Sequence, residues 1–175
     1  MQIKPFVLSA VLALVALPAA AQNPVSDAVR SNWTSVKKNI KESAELMPEE
    51  NYGFKPTPDV RSAGEILAHV AGASYVFCAS AKNEKAPFAE DAFEGKMTTK
   101  AQIVKVTNDA IAYCDGAFAA LTDANAKAAV HAAFGDGQTT RISSLLGQIG
   151  HDNEHYGNLV TYFRLKKLVP PSSRR

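Results

Sequence analysis

The sequence predicts an all-α protein, an antiparallel four-helix bundle with a longer connection between its second and third helices. Three observations predict it. Four segments of about 20 residues carry apolar side chains at alternating spacings of three and four, the repeat of one helix face. Prolines, glycines and charged stretches separate these segments. Outside one short piece near residue 130, no alternating pattern of the kind that makes a half-buried strand survives. Four amphipathic helices bury their stripes most simply against one another.

The first 21 residues, MQIKPFVLSAVLALVALPAAA, have the layout of a cleavable signal peptide. A short start carries Lys4, an apolar run extends from Pro5 to Leu17, and Pro18 precedes Ala19, Ala20 and Ala21, with the cut ahead of Gln22. The apolar run is shorter than the roughly 20 residues that a bilayer-spanning helix needs. No cysteine stands at the cut to take a lipid anchor. The chain is therefore expected to be exported, periplasmic or secreted, without stable membrane insertion, and residues 22–175 are expected to form one domain.

The first helix is predicted from about Asp27 to Met47, with Ser26 as its N-cap and a stripe of Val29, Trp33, Val36, Ile40, Ala44 and Met47. Lys37, Lys38, Lys41 and Glu42 form its solvated side. The loop PEENYGFKPTPDVR ends the helix and lets Tyr52 and Phe54 fold back onto the bundle. Ser62 and Glu65 have the spacing of a capping box, opening a second helix that runs to about Ala81 with Ile66, Val70, Ala73 and Phe77 on its stripe and His69 on the flank. The charged linker KNEKAPFAEDAFEGK leads to a third helix, from about Thr99 to Leu121. Asp123 to Lys127 reads as a turn or short helix, and VHAAFGDGQTT as a brief extended piece with a turn at Gly135-Asp136-Gly137. The last helix runs from about Thr140 to Lys167 and is stopped by Pro170 and Pro171.

Without Lys4 the chain holds 18 basic and 17 acidic side chains. That balance argues against nucleic acid as a partner, because phosphate backbones attract concentrated positive charge. The basic cluster at RLKKL and Arg174-Arg175 reads as a solubilising end that complements a helix C-terminus. Cys78 and Cys114 lie on apolar helix faces of an exported chain, where they either meet as a disulfide or pack as small hydrophobes.

The stretch GQIGHDNEHYGNLVTYFRLKKL, residues 147–168, carries the chemistry. Four helical residues advance about 400° and about 6 Å, so His151 and His155 lie on one face and can reach one ion. A firmly held divalent metal takes three or four protein ligands. His69 on the second helix is the candidate third, because facing helices of a bundle converge on its interior. Three imidazoles suit zinc, nickel, copper or iron, with zinc and nickel foremost, and leave a coordination position open. The same residues also admit a reading without an ion, with His69 a hydrogen-bonded core residue and His151 and His155 a surface pair. His131, beside a glycine turn, reads as structural. HDNEH matches the H-x-x-E-H pattern of inverted zinc proteases, but no Asp or Glu follows His155 to complete such a site. Arg61, Asp152, Glu154 and Tyr156 are near enough in sequence to contact the ligands or a substrate; Asp152 and Glu154 also read as helix-surface charge, the favoured reading for Glu154. No catalytic residue is assigned.

RSAGEILAHVAGASY, followed far downstream by LLGQIGHDNEHYGNLVTYFRLKKLVPPSS, resembles the DinB-like superfamily of bacterial four-helix proteins, and NYGFKPTPDVRS is similar to the loop those proteins carry before their second helix. The resemblance covers nearly the whole of residues 22–175. It implies that His69, His151 and His155 are ligands of a divalent metal ion, and it leaves room for a homodimer through helix faces. Some members of that superfamily are thiol-dependent transferases or isomerases; an exported chain departs from those, since cytoplasmic thiols are scarce outside the cell. Two functional expectations follow. One is an enzyme with hydrolase or thiol-transferase chemistry on a small-molecule substrate, and the other is a non-catalytic metal- or ligand-binding module of a cell-envelope stress response.

Overall fold

The structure is a computed structural model and describes residues 22–174. The signal peptide read at residues 1–21 lies outside the described residues. Helices α1 (Pro24–Leu46), α2 (Ala63–Lys82), α3 (Lys100–Ala119) and α4 (Arg141–Leu165) form a four-helix bundle, and strands β1 (Ala129–His131) and β2 (Gln138–Thr140) make a small antiparallel hairpin before α4. The hairpin is the extended piece expected there. Its turn includes Gly135 at φ +75°, a conformation that glycine adopts without a steric penalty.

Two apolar clusters give the helix directions. One joins Ile40, Ala44 and Met47 of α1 to the first half of α2, to Ile103 near the start of α3, and to Tyr156, Leu159 and Phe163 of α4. The other joins Val29, Trp33 and Val36 to Cys78 and Ala81, to Cys114 and Phe118, and to Leu145 and Ile149. Hence α1 and α4 run one way, and α2 and α3 run the other. Each of α1 and α2 packs against both α3 and α4, while α1 and α2 touch little and sit on a diagonal. The four-helix bundle and its long connection are as expected, but two neighbouring pairs, α2 with α3 and α1 with α4, are parallel. A parallel pair cannot be joined by a tight turn, so residues 83–99 must return along the length of the bundle.

Local signals explain most helix ends. Ser62 accepts from the Glu65 amide and the Glu65 carboxylate accepts from the Ser62 amide, closing the expected capping box. Thr99 and Gln102 repeat it on α3, and Thr140 caps α4. The start of α1 differs from expectation. It begins at Pro24, and Ser26 is not its N-cap. Instead the Asp123 carboxylate accepts from the amides of Val25 (3.3 Å) and Ser26 (2.8 Å) and from the Ser26 hydroxyl (2.7 Å). A carboxylate from about 100 positions away thus satisfies donors that the local sequence leaves open. Lys37 also departs from its solvated reading, since it pairs with Asp115 at 2.7 Å, beside the indole N–H of Trp33 on the same oxygen.

Cys78 and Cys114 form a disulfide between α2 and α3, so of the two readings the bridge is the one observed. Cross-linking positions 36 apart removes on the order of 4 kcal/mol of denatured-state entropy in the chain-entropy model. Tyr52 and Phe54 fold back as expected. Tyr52 is buried, its hydroxyl donates to the Ala44 carbonyl, and Phe54 meets Tyr162 edge-on at 5.9 Å between ring centres.

The return segment lies directly on α2. A Cβ at Gly72 would stand 1.9 Å from the carbonyl oxygen of Glu90, so only glycine permits this crossing. Gly72→Ala is expected to lift the segment and cost about 1–3 kcal/mol in urea unfolding. Gly157→Ala, at an exposed α4 position with open space around it, should instead gain up to about 1 kcal/mol.

Candidate metal centre

Helix α2 is made mostly of small and apolar residues and is buried nearly all round, with α3 and α4 against it and the return segment across it. His69 is therefore interior, 6% exposed, rather than on an open flank. Across from it, α4 presents His151 and His155 one turn apart. The ring centres of the three histidines are 5.1, 4.9 and 4.5 Å apart, and one ring nitrogen from each lies within 4.8 Å of the other two.

This arrangement fits a shared cation. The Nε2 atoms of His69 and His151 are 3.1 Å apart. Two nitrogens each 2.0–2.1 Å from a tetrahedral zinc stand roughly 3.3 Å from one another. The surroundings favour lone pairs at both of these atoms. The Glu94 carboxylate lies 3.3 Å from Nδ1 of His69, and the Asp152 carboxylate lies 3.6 Å from Nδ1 of His151, so each acid draws the ring proton to Nδ1 and leaves Nε2 as an acceptor. Two acceptors facing each other repel unless a proton or a cation lies between them. Nδ1 of His151 and Nδ1 of His155 are also buried without a hydrogen-bond partner. Burial, helped by the positive field of neighbouring rings and of Arg61, pushes His155 down to about 4, and burial with Arg61 lowers His69 as well. Both rings are neutral near pH 7, the form that ligates a metal.

Asp152 is not the surface charge that its sequence position allowed. It is 1% exposed, and desolvation raises it to about 6, against the opposing effects of His151 and Gln148. Gln148 donates to Oδ2 of Asp152 (2.9 Å) and to the Ser74 hydroxyl (2.7 Å), and Ser74 donates to the Val70 carbonyl (2.7 Å). Oδ1 of Asp152 has no partner and is the oxygen nearest His151. A buried chain of side chains therefore runs from α2 to the back of a histidine on α4.

The other sequence candidates separate cleanly. Arg61 stands at the site, its Nε donating to Glu94 at 2.7 Å. Glu154 is exposed on α4. Tyr156 faces elsewhere, its hydroxyl donating to Ser172 and accepting from the Ser172 amide, both at 2.8 Å, which ties down the C-terminal segment. His131 lies on β1 with its carbonyl held by Ser80, away from the cluster. Sequence reading missed Glu90 and Glu94, because they lie in a charged linker whose path over α2 no local pattern reveals. It also missed Gln148 and Ser74. Gln148 is three residues before His151, a helical spacing that could have drawn notice.

A four-helix bundle in which two neighbouring helices share a buried cluster of three imidazoles defines a class of proteins that could hold a metal between helices. The comparisons agree on the fold. A model of the DinB superfamily matches residues 33–159, and the chain belongs to that superfamily. A DinB-like protein from Bacillus cereus is 16% identical, with a TM-score of 0.69 over 83% of this chain and 95% of that one. A DinB-like protein from Bacillus subtilis, YjoA, is 19% identical, with a TM-score of 0.63 over 85% and 99%. YfiT from Bacillus subtilis, described as a probable metal-dependent hydrolase with an unusual four-helix bundle topology, is 14% identical, with a TM-score of 0.63 over 87% and 93%. No match was found among curated proteins.

The Asp152 environment gives a pH-dependent test. A carboxyl whose folded pKa is raised above its unfolded value costs stability when ionised; the cost is absent below about pH 4 and complete above about pH 6. In metal-free protein, Asp152→Asn is expected to raise unfolding free energy at pH 8 by on the order of 2 kcal/mol and to change it little at pH 4. The same substitution should weaken metal retention about 10- to 100-fold, as loss of a ligand-orienting carboxylate does.

Proposed function

We propose that this protein is an exported metal-dependent hydrolase in which His69, His151 and His155 hold a divalent ion, zinc or nickel foremost, and act on a small-molecule acyl compound. The observation that carries the reading is the meeting of three ring nitrogens from two helices within 4.8 Å, with His155 also lining an open groove of about 690 Å³. Its size lies within the range of roughly 300–1,000 Å³ typical of small-molecule sites. The description of YfiT as a probable metal-dependent hydrolase supports the same chemistry. A Cys78–Cys114 bridge and the N-terminal signal pattern support a location outside the cytoplasm, where disulfides persist.

When bound, the ion supplies Lewis acidity toward a carbonyl and a hydroxide-like nucleophile at neutral pH. The chain's own residues supply orientation and proton transfer. Glu94 fixes the ring of His69 from behind, and Asp152, itself held by Gln148, stands behind His151. Glu90 is placed differently. Its Oε1 is 3.8 Å from Nε2 of His69, on the side where the three nitrogens meet, and its side chain is 42% exposed. We assign it the role of proton acceptor from the attacking water and donor to the leaving group, a role that requires a carboxylate near the reacting atoms but open to solvent.

Metal analysis of untagged protein tests the ligand set. Replacing any one of the three histidines by Ala should lower metal affinity by at least about 100-fold, since two imidazoles leave the shell incomplete. His131→Ala should leave it unchanged, and equal metal content in all four variants would end the proposal. A screen of esters, amides and lactams should reveal turnover that His151→Ala lacks. Glu90→Gln should keep its metal and lose roughly 100- to 10,000-fold in kcat; full activity in that variant would remove Glu90 from the mechanism.

A further inference from the structure

We infer that the substrate of this site carries a single carboxylate, remote from the reacting bond, that docks on Arg61. The inference rests on the metal-dependent reading above and extends it to the class of compound that the groove accepts.

The groove that includes His155 has two kinds of wall. Pro56, Val60, Ile66 and Tyr162 supply apolar surface, and Arg61 is the only cationic side chain lining it among the described residues. Arg61 is unusually well placed to bind an anion. Its backbone is held by the Tyr162 hydroxyl, which donates to the Arg61 carbonyl at 2.7 Å, and its Nε is held by Glu94 at 2.7 Å. The backbone and one edge of the guanidinium are thus both tied down. Its two terminal nitrogens make no hydrogen bond among the described residues, and the side chain is 44% exposed. A pre-oriented fork with free N–H groups matches the two oxygens of a carboxylate.

Charge in the wall limits what that anion can be. Asp59 and Glu94 line the same groove, so its side chains alone sum to -1, and the divalent ion of the proposed site would bring the sum to +1, which accommodates one negative charge and disfavours a phosphate dianion or a polyanion. Arg61 also connects to the cluster, because the Glu94 carboxylate that its Nε holds at 2.7 Å lies 3.3 Å from Nδ1 of His69. A substrate anion on Arg61 would share one groove with the apolar surfaces of Val60 and Tyr162 and with His155 of the cluster.

Bifunctional probes separate this inference from the reading beneath it. Hydroxamates with a terminal carboxylate, and matched hydroxamates with a terminal primary amide or phosphonate, would be titrated by calorimetry into the zinc-loaded mature chain, across spacers of two to six methylenes. At the best spacer the carboxylate is expected to bind at least about 10-fold tighter than the amide, with the phosphonate gaining no such advantage. In Arg61→Gln, compared at matched zinc loading, that preference should vanish, the ratio of carboxylate to amide affinity falling to about one. Arg61→Lys, which keeps the charge but not the fork, should recover part of it, and Asp59→Asn should enlarge it. Retained zinc with equal affinities for carboxylate and amide at every spacer would overturn the inference alone, as would a preference that survives Arg61→Gln. A wild-type chain that holds no zinc would overturn both it and the metal-dependent reading.

Discussion

Helices α2 and α3 lie side by side and point the same way, so the chain between them has to travel back along the bundle. That return, residues 83–99, crosses α2 so closely that the carbonyl of Glu90 occupies the space where a side chain at position 72 would be. The consequences reach the site. The crossing buries a face of α2 that would otherwise meet water, which makes His69 an interior residue, and it delivers Glu90 and Glu94 to the same ring. An aromatic group of Tyr75, Phe88, Phe93 and Tyr113 fastens the segment to α2 and α3, with Lys82 over the Tyr113 ring at 3.5 Å. Contacts of that kind contribute of the order of 1 kcal/mol each.

The centre is balanced between stability and chemistry. Buried imidazoles and a buried carboxyl are costly in a fold that could have filled the same volume with leucine. Here the polar groups are arranged as a series, Ser74, Gln148, Asp152 and His151, whose last unpartnered atoms face one another across 3.6 Å. Beyond that end stand the Nε2 atoms of His151 and His69, two acceptors 3.1 Å apart that repel unless a proton or a cation lies between them. A divalent charge at the nitrogens would polarise His151 toward Asp152 and favour the ionised acid. Folding and metal capture would be linked through this one chain of contacts.

Much of this was legible in the chain. Apolar residues three and four apart marked all four helices, because burial of one helix face imposes that repeat. Ser62 with Glu65 marked the start of α2, since a capping box is local chemistry within one turn. The histidine pair on α4 was equally legible, as four residues bring two rings onto one face. Asp123 capping α1 was not, nor was the burial of Asp152. Both depend on elements distant in sequence coming into register, and a lone carboxylate reads as surface charge until its neighbours are known.

Local patterns in the chain specified a set of amphipathic rods, their approximate boundaries, and two imidazoles fixed by the pitch of one helix. Tertiary structure decided the rest. It ran α2 parallel to α3, turned His69 toward the pair on α4, brought Glu90, Glu94 and Arg61 around them, and joined Cys78 to Cys114. The physical reason is one of range. Helical pitch and capping act over a few residues, whereas the position of one rod against another is set by how complementary apolar faces close over a shared core, and nothing in a local pattern encodes that closure.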